Sequence, residues 1–140
     1  MFRWNMSLET GIDTVDHGRR ALIDAMADFF RILDDPLLDH AMVAERTGAV
    51  FLAMKAAFAA EDAFFAAHGL QADAHQARHG ALILAYVDLC KKVVPKIKNL
   101  KQAQQICLEI YRIIDGSLYG HLKDEVQEYR ALLRGHPQVA

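Results

Sequence analysis

From Leu38 to His68 apolar side chains recur every three or four residues with no proline between them, a period that an α-helix turns into one continuous face. Thr47, Val50, Phe51, Met54, Phe58, Glu61 and Phe65 fall on that face, and Gly69 follows where a helix C-terminus favours left-handed backbone. Three further segments carry the same period. One opens near Asp16, read as its N-cap, and presents Leu22, Ile23, Met26, Phe29, Phe30 and Leu33 before "DDP" at 34–36 stops it. Another runs from about Ala72 to Val94, with His75, His79, Leu82, Tyr86 and Leu89 on one side, and Pro95 ends it. The last begins in "NLKQAQQ", carries Ile106, Ile110, Ile113, Ile114, Leu118, His121 and Leu122, and stops near Gly135 and Pro137. No segment alternates as a strand does. The expected fold is all-α, an up-down-up-down four-helix bundle with short connections.

A chain of 140 residues suffices for one core, so a single domain over 1–140 is expected, with an N-terminal arm at 1–14 and the bundle at 15–134. Phe2 and Trp4 of "MFRWNMSLETGI" are expected to pack on the bundle. A net charge of -2 with 24% charged residues argues against a basic nucleic-acid binder. No apolar run approaches the roughly 20 residues of a membrane span, and the first residues lack a secretory apolar region, so a cytoplasmic location is expected. Cys90 and Cys107 lie in apolar patterns and read as buried thiols rather than a disulfide.

Four polar residues interrupt the apolar faces: Glu61 on the second helix, His75 and His79 four residues apart on the third, and His121 on the fourth. Side chains at i and i+4 project from one face, so the groups can converge in the bundle interior. Burying them is costly unless they satisfy one another or a cation. Imidazoles with a carboxylate suit iron, zinc or another first-row metal. A single inward histidine is ordinarily a hydrogen-bonded core residue; the constellation is what points to metal. His68 reads as a cap or a solvated residue, His40 and His136 as surface residues, and Asp62 and Asp124 as groups turned off the inward face.

The chain resembles the hemerythrins, most closely the bacterial hemerythrin-like proteins. The resemblance rests on "FRW", "TGI" ahead of the first helix, "FAAEDAFFAAHGL", "HQARHGALI" and "SLYGHLKDEVQEY", in that order along most of the chain. It implies a di-iron centre with five histidines and two bridging carboxylates, and reversible dioxygen binding at the iron that has two histidines. His75, His79 and His121 match the ligands of the three-histidine iron, and Glu61 matches a bridging glutamate. The other ligand positions hold something else. The histidine four residues before the glutamate is Ala57, the aspartate five residues after His121 is Val126, and the first-helix ligand position, counted from Asp16 to Leu22, is Arg19. His17 falls at a variable position, about 200° round the helix from Arg19.

These departures fall together on one of the two iron sites, so the resemblance implies one metal ion, iron by family, with the dioxygen-binding site lost. Arg19 is the candidate charge substitute for the missing ion, through a guanidinium able to supply charge and paired hydrogen bonds. The expected role is metal binding with a redox or gas-responsive function; the expected partners are the metal ion and dioxygen or another small gas, and not nucleic acid or a membrane. No substrate pocket is legible, so the chain is not read as an enzyme. Two alternatives remain: a full di-iron oxygen carrier, with Glu125 or His17 shifted into place, and a metal-free helical interaction module.

Overall fold

Two helices start where the chain supplies a capping oxygen. Asp39 accepts from Met42 N–H at 2.9 Å, and Asn99 accepts from Gln102 N–H at 2.9 Å. The computed structural model describes residues 2–136, and the elements are α1 (Asp13–Arg31), α2 (His40–Ala67), α3 (Asp73–Val93) and α4 (Leu100–Ile113). A π-helical segment, Ile114–Tyr119, then leads without a break into α5 (Gly120–Gly135). Among the described residues there is no strand, and no helix is long and apolar enough to cross a membrane. Gly69, at φ +62°, ends α2 as expected. Pro137, expected beyond the last helix, lies outside the described residues.

Asp16 is not an N-cap. α1 starts three residues earlier, after Ile12, and the Asp16 carboxylate turns back to accept from Thr10 N–H at 2.9 Å, the Thr10 hydroxyl at 2.7 Å and Gly11 N–H at 3.2 Å. Gly11 takes φ +88°, a backbone region that favours glycine, so the chain bends into α1 there. Ahead of this clamp Phe2 is buried against Phe30, Tyr111 and Tyr119, and the Arg20 guanidinium lies over the Trp4 ring.

The inward faces of the helices meet in two clusters, a larger one that includes Leu22, Met26 and Phe29 of α1, Val50, Met54 and Phe58 of α2, and Cys107 and Ile110 of α4, and a smaller one of Ile12, Val15, Phe64 and Tyr129. Tyr86 joins α3 to α2 by donating its hydroxyl to the Thr47 carbonyl at 2.7 Å. α1 and α2 share the most extensive contact in the chain. A Cβ on Gly18 would stand 3.0 Å from Ala57 Cα, so the two helices approach closely there and a side chain at 18 would push on the α2 backbone. Cys107 is buried, Cys90 is half-buried rather than buried, and both are free. Burial pushes the Cys107 thiol up to about 11.

Ile110, Ile114, Leu118, Leu122 and Val126 are all buried at steps of four residues. In a regular α-helix each such step drifts by about 40°, so four steps would carry the stripe about 160° round the helix. The wider i→i+5 turn of the π segment absorbs that drift. The interior face is thereby kept as far as Glu125, Val126 and Tyr129.

Candidate metal centre

α2 contributes Glu61, α3 contributes His75 and His79 one turn apart, α5 contributes His121 and Glu125 one turn apart, and α1 contributes Arg19. Arg19 and Glu61 have no exposure, Glu125 1%, His79 2% and His75 6%, while the His121 side chain keeps 12%. Six ionisable side chains from four helical segments thus share one interior site. His17 is exposed, and Arg19 holds the inward position.

Each carboxylate faces two ways. Glu61 Oε1 accepts from Arg19 Nη1 at 3.0 Å, while its Oε2 lies 3.0 Å from His79 Nε2 and 3.6 Å from His75 Nε2. Glu125 Oε2 accepts from the same Nη1 at 3.2 Å, while its Oε1 lies 2.7 Å from His121 Nε2, 3.0 Å from His79 Nε2 and 3.3 Å from His75 Nδ1. Arg19 Nη2 donates to the Leu122 carbonyl. The guanidinium therefore occupies one side of the carboxylate pair and the three imidazoles the other.

Several inner atoms have no aligned hydrogen-bond partner: Glu61 Oε2, His75 Nε2 and His121 Nε2. Glu61, His75, His79 and Glu125 each present a ligand atom within 4.8 Å of the others, and His121 joins them through Glu125. Neighbouring ligands about 2.1 Å from an octahedral ion stand about 3.0 Å apart, and tetrahedral ones about 3.4 Å. The 2.7–3.6 Å contacts among the inner oxygens and nitrogens bracket both values. The donor set and its orphaned atoms fit a first-row cation.

Burial by itself would raise the Glu61 carboxyl and lower the His79 imidazolium. Contacts with His75 and His79 nevertheless hold Glu61 below its ordinary value, assisted by Arg19 and opposed by the charge of Glu125. Burial is likewise overcome at Glu125, whose contacts with His121 and His79 hold it well below the carboxylate range. The same two carboxylates raise His79 to about 9. The raised His79 imidazolium and the Arg19 guanidinium both face the two carboxylates.

The rings are held from outside the cluster. Phe58 stacks on His79 with centroids 3.8 Å apart and planes 3° from parallel, and Phe65 and Tyr129 pack against His75. Asp62 is half-buried with Oδ1 4.0 Å from His79 Nδ1, beyond hydrogen-bond reach but on the side of the ring that faces away from the site. Tyr129 is buried without a hydrogen-bond partner, and burial together with Glu61 and Glu125 pushes its phenol up.

Of the four expected ligands, Glu61, His75 and His79 fall in one group of ligand atoms with Glu125, beside Arg19; His121 lies outside that group and meets it through Glu125, and Ala57 and Val126 are buried and offer no ligand atom. Glu125, which sequence reasoning kept only as a register-shifted replacement for the lost aspartate, reaches the three histidines through Oε1 and Arg19 through Oε2. Its signal was present in the i+4 spacing from His121. His68 is exposed with its ring Nδ1 2.9 Å from the Phe64 carbonyl, at the end of α2. His40 and Asp124 are exposed, and His136 is half-buried rather than fully at the surface. No family model matches the chain, and neither a curated protein nor a solved structure matches it.

Proposed function

We propose that the chain is a hemerythrin-like metal-binding protein, an up-down four-helix bundle with an N-terminal arm, holding one first-row ion where its relatives would hold two. The ligands are His75, His79, His121, Glu61 and Glu125, and iron is the metal that the resemblance favours. The observation that carries this reading is the two-sided use of the carboxylates. Glu61 and Glu125 each give one oxygen to the three imidazoles and the other to Arg19. A guanidinium thus takes the charge and the bridging contacts that a second cation would otherwise take. A bound ion would supply Lewis acidity or, as iron, one-electron chemistry. The protein's part is to fix the ligands and exclude bulk water.

In this reading Arg19 takes the place of the second ion, so dioxygen carriage by a pair of irons is not part of the proposed role; a redox or gas-responsive function at one ion is. Metal counting by plasma emission on chain expressed in iron- and zinc-supplemented medium tests this. About one equivalent in the wild type and less than a tenth in His79→Ala is expected. Unchanged content in His79→Ala, or two equivalents in the wild type, refutes it.

A further inference from the structure

The ligands lie at most 12% exposed, so an ion in water reaches them only through an opening, and two of them line surface clefts. His75 lines a cleft of about 530 Å³ between the start of α3 and the end of α5, together with Asp73, Arg78, Glu128 and Tyr129. His121 lines a second, of about 410 Å³, together with Arg78, Asp124 and residues of the π segment. Arg78 borders both, and its Nη2 donates to Glu128 Oε2 at 2.7 Å.

We propose that the His75 cleft is the entry route for a hydrated divalent cation, with Asp73 and Glu128 as its docking carboxylates and the Arg78–Glu128 ion pair as its latch. The proposal rests on the metal-binding reading above. Two carboxylates against one guanidinium leave this mouth net negative, a field that concentrates cations and repels anions. The other cleft sets one carboxylate, Asp124, against the same guanidinium and is smaller. Arg78 and Glu128 are about half exposed, with side-chain exposures of 46% and 54%, so their pairing is weak and the arginine exchanges rotamers quickly. When Arg78 swings out, Glu128 is released to the cation at the edge of the cleft. Behind it stands His75, 6% exposed, with Nε2 lacking a hydrogen-bond partner. His75 is therefore the first ligand an incoming ion meets.

Stopped-flow uptake of Co²⁺ by the metal-free full chain, followed by the visible bands of the bound ion, tests the route. Arg78→Ala should take up cobalt about threefold or more faster than wild type at low ionic strength, and Asp73→Asn/Glu128→Gln about threefold or more slower. Both differences should shrink at 0.5 M salt, where exposed charges are screened. Final cobalt content should stay at the wild-type value in both variants. Asp124→Asn, at the other cleft, should leave the rate unchanged. Equal uptake rates in all variants overturn the route but not the site. Slowing in Asp124→Asn alone moves entry to the His121 cleft and also overturns it. Absence of cobalt uptake by the wild type overturns the route and the metal-binding reading together.

Discussion

Replacing Arg19 by leucine tests whether the guanidinium is the counter-charge of the site. The side chain is wholly buried and donates to Glu61 at 3.0 Å, to Glu125 at 3.2 Å and to the Leu122 carbonyl. Leucine fills part of the volume but leaves two buried carboxylates facing each other with only the histidines between them. Removing one partner of a buried ion pair costs about 3–5 kcal/mol. For 140 residues, an unfolding entropy of about 2.1 cal/mol/K per residue gives about 0.3 kcal/mol/K, so the metal-free midpoint should fall by about 10–17 °C. Arg19→Lys, which keeps the charge without the fork, should fall by less. The ion and Arg19 share the same carboxylates and repel each other, so the metal-induced rise in midpoint should be larger in Arg19→Leu than in wild type. Scanning calorimetry with and without Co²⁺, at equal total metal, measures both quantities. A loss below about 1 kcal/mol, or a metal-induced rise no larger than that of wild type, refutes the assignment of Arg19; a loss of that size is what exposed pairs show.

Metal-free stability should depend on pH in the direction that the His79 shift sets. A pKa raised from 6.5 to about 9 contributes stability that is full below 6.5 and is lost as pH rises through 9, an effect of about 3 kcal/mol. Glu61 and Glu125 are lowered, so their contribution is present above the ordinary carboxylate value of 4.5 and is lost as pH falls. Urea unfolding should therefore show a maximum between about pH 4.5 and 6.5, and a flat profile from pH 6 to 9.5 would contradict the assignment. Metal uptake at pH 7 should release about one proton, read with a pH indicator in weak buffer. Asp16→Ala removes the acceptor of three hydrogen bonds from Thr10 and Gly11 and should expose residues ahead of α1 to protease, at a loss of about 1–3 kcal/mol. Gly18→Val should lose about 1–3 kcal/mol against the Ala57 backbone, whereas Gly48→Ala, in α2 with nothing within 4 Å of the added carbon, should gain about 0.5–1 kcal/mol.

The helices were legible because long apolar stretches at three- and four-residue steps have one physical solution, and the end of α2 because Gly69 is a strong local signal; the start of α2, expected at Leu38, is set instead by the Asp39 cap. Asp16 misled because an aspartate ahead of an apolar stripe reads as a cap, and only the path of the chain reveals that it binds residues upstream. Arg19 was legible only through the resemblance, by counting from Asp16 to Leu22 along the family pattern. Glu125 was legible only in part, in its i+4 spacing from His121; how the π segment at Ile114–Tyr119 turns α5 toward the interior is not announced by any local spacing. The Arg78–Glu128 pair joins residues 50 apart in sequence, and no local spacing announces it.

Arg19→His restores a histidine at the first-helix ligand position, yet one ion per chain is still expected. On the Arg19 side the protein would offer Glu61 Oε1, Glu125 Oε2 and the new imidazole, while Ala57 and Val126 contribute no ligand atom. Water cannot readily complete the shell. Ala57 is wholly buried, and its Cα would come within 3.0 Å of a Cβ placed on Gly18, so α1 and α2 leave little space between them. Charge opposes a second ion as well. Two carboxylates with one divalent ion and Arg19 leave the site at net +1, whereas two divalent ions without the arginine leave it at net +2 in the interior. The variant should therefore bind one equivalent of Co²⁺ by metal counting, with the metal-free protein less stable than wild type. Two equivalents would show that Arg19 alone, and not the packing of α1 on α2, keeps the second ion out.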